Sequence, residues 1–329
     1  MNRRVVVTGM AGLSPLGQEW KVVRDALRNG RSGVRRIDEW DEVEDLRTRL
    51  GATVPDFETP SHYPRKKVRS MGRVSLLATR ATELALEDAG MHDSPTVTSG
   101  RTGIAFGSSA GSPPAIGVYA RQLFVGNTIS GIGANDFLQF MSHTTAANLA
   151  NFFGVTGRIV PTSSACTSGS QGIGFGYEAI RFGQQEVMLA GGAEELAVMD
   201  AAVFDVLFAT STRNDEPGAT PRPFDAGRDG TVVGEGAGCL VLEELEHAKR
   251  RGAHIHAELI GFATNCDGRH LTNPDAAGME EVMRLGLADA GIEPDAVGYV
   301  NAHGTSTEVG DIAESHAMAA VFGTNTPTS

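Results

Sequence analysis

The sequence predicts an α/β protein. Apolar, β-rich runs alternate with amphipathic stretches, which is the pattern of sheets packed between helices. One helix-then-strand pair occurs twice, so the chain reads as internally duplicated. At 329 residues, with 41% hydrophobic and 21% charged residues, the chain can bury a large core as one big domain or as two fused units.

In chain order, "RRVVVTGM" opens as a strand. The following "AGLSPLG" cuts the apolar run with glycines and a proline, so the stretch, which mimics the basic and apolar start of a leader, reads as a strand entering a turn. "VSLLATRATELALEDAG" spaces its apolar residues as a helix, and Gly90 is its C-terminal stop. "RTGIAFGSS", "GRIVPTSSA", "EVMLAGGAEE", "GCLVLEEL" and "AELIGFAT" read as further strands. "ELALEDAGM" at 83–91 matches "RLGLADAGI" at 284–292, which predicts a second helix over 279–290 and a strand over 296–302 in "AVGYVNAHGTS". On the same alignment Pro161-Thr162-Ser163 corresponds to Pro327-Thr328-Ser329.

Charge and cysteine usage narrow the function classes. A formal net charge of −12 opposes nonspecific binding to nucleic acid or anionic membrane, although Arg65, Lys66, Lys67, Arg69 and Arg73 form a local basic run. No segment approaches the roughly 18 apolar residues of a membrane span. Cys166, Cys239 and Cys266 lack CxxC spacing and a paired framework, which argues against structural disulfides and cysteine-based zinc and points to a reducing cytoplasm.

Cys166 stands between a strand-like "GRIVPTSSA" and a helix opening in "CTSGSQGIGFGYEAIRFG". Ser168, Gly169 and Ser170 admit close backbone approach, and amides at a helix start favour a thiolate and can hold an oxyanion. The competing reading is a small core cysteine. Cys239 and Cys266 lack such a setting and read as structural. His303, at the end of the predicted strand in "YVNAHGTSTEVGD", is the candidate partner of the thiolate, against a histidine that ties down a turn. "GSSAG", Gly107 to Gly111, also fits a G-x-S-x-G elbow and would centre a serine hydrolase on Ser109, but Pro113 and Pro114 follow where a helix should start.

The motifs "SSACTSGSQGIGFGYEAIRFGQQEVMLAGGAEE", "STRND", "RPFDAGRDGTVVGEGAG", "LEELEHAKRRGAHIHAEL", "DGRHLTNP" and "NAHGTSTEVGDIAE", in this order, resemble the elongating β-ketoacyl-[acyl-carrier-protein] synthases of the thiolase superfamily. The resemblance runs from "RRVVVTGMAGLSPLG" to the last residue. It implies a thiolase-like α-β-α-β-α layered fold of two duplicated halves, residues 1–253 carrying the nucleophile and 254–329 beginning a second half that is incomplete. It implies an acyltransferase that condenses an acyl-cysteine with malonyl carrier protein, with Cys166 as nucleophile and His303 as one of two histidines that polarise the malonyl thioester. Thr305 and Thr307 are implied to bind the pantetheine arm, Phe204 to line the acyl pocket and Thr272 to bind substrate, while Glu314 is a buried acid that pairs with a family lysine. Core packing or turn capping is the bland alternative for each. No metal or redox cofactor is implied, since the substrates ride on the phosphopantetheine of acyl carrier protein. The expected partners are that carrier protein, docking at Arg65, Lys66, Lys67 and Arg69, and a second ketosynthase-like subunit, homodimeric or heterodimeric, paired along "GRIVPTSSA". A non-catalytic chain-length partner subunit is the alternative, and Cys166 argues against it. The family's lysine and second catalytic histidine would lie beyond "PTS", so the resemblance implies a truncated chain without full condensing activity.

Overall fold

The computed structural model describes residues 2–269 and 274–329. Its chain divides into two compact units interleaved along the sequence, one of Met1–Ser32, Thr53–Ala197 and Gly234–Leu259, the other of Gly33–Ala52, Val198–Val233 and Ile260–Ser329. The strands are β1 (Val5–Leu13), β2 (Arg35–Arg36), β3 (Leu50–Ala52), β4 (Thr102–Gly107), β5 (Ile159–Thr162), β6 (Val187–Glu194), β7 (Val233–Gly234), β8 (Gly236–Glu244) and β9 (Ala257–Leu259). Among the described residues no helix is long and apolar enough to cross a membrane.

In the first unit six strands form one mixed sheet in the order β5-β4-β6-β8-β1-β9. β4 runs parallel to β5 and β6, and β8 runs antiparallel to β6 and β1. Side chains alternate across the pleat, so both faces are apolar and both are covered. On one face Ile104, Phe106, Val187, Leu189, Cys239 and Val241 pack against the helices Arg73–Asp88 and Thr144–Phe153. On the other, Ala190, Leu242 and Met188 lie against Gly176 of the helix Ser168–Arg181. The result is an α-β-α layering. The helix Arg73–Asp88 ends as expected, with Gly90 at φ 63°. Each leucine it buries completely, such as Leu77 and Leu86, contributes about 1.5–3 kcal/mol.

A buried charge cluster fastens one end of this unit. Glu243 on β8 accepts from Thr8 Oγ1 (2.8 Å), from Arg251 (2.7 and 2.8 Å) and from His247, while Arg251 also donates to the Ala89 carbonyl (2.7 Å).

The duplication is visible in atomic detail. In the first copy a side chain at Gly9 would place its Cβ 2.3 Å from the Ala85 carbonyl and 2.7 Å from Ala89 Cβ, and the Met10 amide donates to Asp88 (2.9 Å). In the second, a Cβ added at Gly261 would stand 2.9 Å from the Gly286 carbonyl and 2.8 Å from Ala290 Cβ, and the Phe262 amide donates to Asp289 (3.0 Å). Residues 85, 88 and 89 of the first match are residues 286, 289 and 290 of the second.

Two predicted strands come out shorter. "AELIGFAT" is a strand only over β9, and 296–302 forms a single bridge, Val300 opposite Thr328. A strand exists only where a neighbour takes up its hydrogen bonds, and here 327–329 supplies them: the amides of Val300 and Ala302 donate to the carbonyls of Pro327 (2.9 Å) and Ser329 (2.8 Å). This repeats the parallel pairing of β4 with β5, but shifted in register, since Thr162 lies opposite Gly107 at the end of β4.

Candidate active site

Cys166 sits on a strained turn between β5 and the helix Ser168–Arg181. Ala165 just before it has φ 53°, a left-handed conformation that costs a non-glycine residue about 1–2 kcal/mol. Three donors hold it there, because the Ala165 carbonyl accepts from Ser168 Oγ (2.7 Å), the Ser168 amide (3.0 Å) and Ser109 Oγ (3.1 Å). Ser168 Oγ also accepts from the Ser164 amide (2.8 Å), and Thr167 Oγ1 donates to the Ser164 carbonyl (2.9 Å). The helix start lies directly on the strand ends. A Cβ at Gly107 would come 2.6 Å from the Ser168 backbone, and one at Gly172 2.8 Å from the Ala105 and Gly191 carbonyls. The close approach is thus made by Gly107 and Gly172 more than by the serines and Gly169 after the cysteine. Cys166 is exposed, ahead of a helix N-terminus whose partial positive charge favours the thiolate.

The other cysteines separate clearly. Cys239 is buried on β8, and burial pushes its thiol up to about 12, where it is inert. Cys266 is exposed, in a stretch, "GFATNCDG", that forms neither helix nor strand.

The serine-hydrolase alternative fails on geometry. The left-handed residue of an elbow is absent from Ser109 and present at Ala165, and the Ser109 hydroxyl donates to a carbonyl instead of to a base. The prolines are no obstacle to a helix, since Pro113–Ala120 begins at them, as proline in a first turn permits.

In the second unit His303 is exposed at the head of a loop held by two acids of the helix Glu308–Phe322. Glu314 is buried and accepts from the amides of His303 (2.7 Å) and Gly304 (2.9 Å). Asp311, one turn earlier, accepts from the amides of Ser306 (3.0 Å) and Phe224 (2.7 Å), with Arg228 Nε at 3.4 Å. The loop contains two left-handed residues, Gly304 at φ 52° and Ser306 at φ 63°, and Ser306 is fully buried. Thr305 and Thr307 bring their hydroxyls together at 2.8 Å, and Thr307 Oγ1 accepts from the Gly310 amide (3.2 Å) to cap the helix. Gly310 makes room for the pair, as its Cβ would stand 2.6 and 2.7 Å from the two hydroxyl oxygens. Asp311 was not singled out from the sequence. The available signal was its spacing: acids at 311 and 314 share one helix face just after a glycine-hydroxyl turn.

Phe204 is half-buried in the helix Val198–Asp205. Thr272 lies outside the described residues. In the basic run, Arg65, Lys66 and Arg69 are exposed, while Lys67 Nζ donates to the Phe152 carbonyl (2.5 Å) and Arg73 turns inward to Glu235 (2.7 Å).

A layered α-β-α unit with a cysteine on the turn between a sheet strand and the next helix fits the thiolase-like class that the sequence resembles. The model of the "Beta-ketoacyl synthase, N-terminal domain" matches residues 2–248, and that of the "Beta-ketoacyl synthase, C-terminal domain" matches 256–329. A 3-oxoacyl-[acyl-carrier-protein] synthase 2 of Vibrio harveyi is 40% identical over 315 residues, 95% of this chain and 75% of that one. The crystal structure of a β-ketoacyl synthase from Burkholderia phymatum STM815 superposes with a TM-score of 0.95 at 56% identity, covering 98% of this chain and 78% of the other. A type II polyketide ketosynthase in complex with its acyl-carrier protein and bound to the hexaketide superposes at 0.86 with 32% identity, covering 98% and 78%. The chain belongs to the β-ketoacyl synthase family.

Proposed function

We propose that the protein catalyses decarboxylative condensation of an acyl chain, held on Cys166, with malonyl-acyl carrier protein, in fatty acid or related polyketide or polyene synthesis. The observation that carries this reading is the exposed thiol on a left-handed turn ahead of a helix, with the preceding carbonyl pinned by three donors. The Cys166 thiolate attacks the acyl thioester carbonyl, the carbon–sulfur bond to pantetheine breaks, and that sulfur leaves as a thiolate, which takes its proton from water. Loss of CO2 from the malonyl group leaves its electron pair on the α-carbon, delocalised onto the thioester oxygen, where His303 stabilises the charge. That carbon attacks the acyl-cysteine, the thiolate departs, and the β-ketoacyl carrier protein is released. The electron pair of the new carbon–carbon bond comes from the decarboxylated bond, so the balance calls for no redox partner. Glu314 and Asp311 hold the His303 loop, Thr305, Thr307 and Thr272 receive the pantetheine arm or substrate, and Phe204 lines the acyl pocket.

The exposed Arg65, Lys66 and Arg69 suit an acidic carrier protein, and the carrier-protein complex of the polyketide relative supports that choice of partner. β5 is an outermost strand of its sheet, with Ile159 exposed, and suits pairing with a second subunit of this kind. A chemistry that needs a reduced thiol fits the cytoplasm. The test is intact-mass spectrometry after incubation with acyl-acyl carrier protein. The acyl mass should appear on the wild-type protein and on Cys239→Ala and Cys266→Ala, and vanish in Cys166→Ala. Its persistence in Cys166→Ala would overturn the assignment.

A further inference from the structure

We infer that Glu194 and Ser109 form a brace that sets the peptide plane in front of Cys166, making Glu194 a positioning residue for the nucleophile. The inference rests on the reading of Cys166 as the acyl acceptor. Glu194 is the last residue of β6, beside the parallel β4, so the chain leaving β4 passes in front of its carboxylate. One oxygen accepts from Ser108 Oγ (3.1 Å) and the Ala110 amide (3.3 Å), and the other from the Ser109 amide (2.7 Å). Ser108 Oγ in turn accepts from the Gly111 amide (3.1 Å). A single carboxylate therefore gathers the whole 108–111 loop, and the loop delivers Ser109 Oγ to the Ala165 carbonyl at 3.1 Å.

That carbonyl belongs to the same planar, trans peptide as the Cys166 amide. Fixing the oxygen on one side aims the N–H to the other, where the oxygen of an attacked thioester needs a donor. Because Ala165 is held in a conformation that L-residues avoid, each donor on its carbonyl works against relaxation of the turn. The loop is thus more than a chain connection. It ties the end of β6 to the backbone that presents the thiol.

Charge and position predict opposite signs for loss of Glu194. As a mere negative charge nearby, Glu194 would disfavour the thiolate, and Glu194→Gln would make Cys166 react faster. As the anchor of the brace, its loss lets the peptide rotate and makes Cys166 slower. The experiment follows iodoacetamide alkylation of Cys166 and Cys266 by peptide mass spectrometry in one sample of the intact protein, across pH. In the wild type Cys166 should outrun Cys266. Glu194→Gln and Ser109→Ala should each slow Cys166 by roughly tenfold and raise the pH midpoint of its reaction, with Cys266 unchanged. The double variant should be no slower than the slower single one. Wild-type rates in Ser109→Ala, or a faster Cys166 in Glu194→Gln, would overturn the brace while leaving Cys166 as nucleophile. A wild-type Cys166 no faster than Cys266 would remove the nucleophile reading, and the brace with it. If Glu194→Gln does not fold, Ser109→Ala decides, since it removes one exposed hydroxyl.

Discussion

The helices Arg73–Asp88 and Ala276–Ala290 end on the same lock and live in different surroundings. Each lays an alanine or glycine backbone against a strand-side glycine, captures the next backbone amide with an aspartate, and stops at a left-handed glycine, Gly90 at φ 63° and Gly291 at φ 67°. Yet the first helix buries ten of its residues, among them Leu77 and Leu86, and the second buries none. The lock is therefore local chemistry that the motif carries with it. Burial is decided by what packs alongside. The first helix is covered by the six-stranded sheet and by Thr144–Phe153, whereas the second packs on the helix Glu308–Phe322.

The largest test removes the clamp behind the first copy. Burial alone would raise the Glu243 carboxyl, but the donors from Arg251, Thr8 and His247 outweigh it and hold the group below the usual glutamate range. A lowered folded value stabilises the protein above the unfolded glutamate value, and that contribution fades as pH falls through the folded one. Glu243→Gln should cost about 3–5 kcal/mol at neutral pH, since Arg251 is left with a neutral partner. In urea melts the gap to the wild type should narrow below about pH 4. A gap that is small at pH 7, or independent of pH, would show that the first copy does not depend on this clamp.

A smaller test compares equivalent leucines. Leu86 is fully buried, and Leu86→Ala should cost about 2–5 kcal/mol through lost transfer energy and a cavity. Leu287 is half-buried, and Leu287→Ala should cost about 1 kcal/mol or less. Equal losses would mean that Leu287 is covered to the same degree in solution, and the contrast between the copies would fall.

Much of this was legible in the sequence because it depends on local pattern. β4, β6 and β8 follow from apolar runs, the helix Arg73–Asp88 from its period, and the turn at Cys166 from small residues between a strand and a helix. What was hidden depends on partners distant along the chain. The stretch 296–302 is extended in pattern, but its strand character rests on a few hydrogen bonds from 327–329. Glu194 and Asp311 look like ordinary acids at element ends, and only through space does each carboxylate meet a loop's amides. Ser109 belonged to a motif whose better-known meaning pointed elsewhere.

The finest test asks what the histidine adds to an aspartate of the lock. Asp88 and Asp289 each stand in the last turn of a helix, where a negative charge meets the partial negative charge of the helix end and is disfavoured by a few tenths of a kcal/mol up to about 1. Each is offset by its hydrogen bond to a strand-side amide, worth about 1.5–3 kcal/mol for a charged acceptor. The difference leaves a net contribution of about 1 kcal/mol apiece. Asp88 has a further neighbour, as His256 Nε2 lies 2.9 Å from the same oxygen that takes the Met10 amide. Asp88→Ala should therefore cost more in the wild type than in the His256→Ala background, by about 0.5 kcal/mol, in paired thermal or urea melts. Equal losses in the two backgrounds would show that the histidine adds nothing to the Asp88 lock, and that its strength comes from the bond to the Met10 amide.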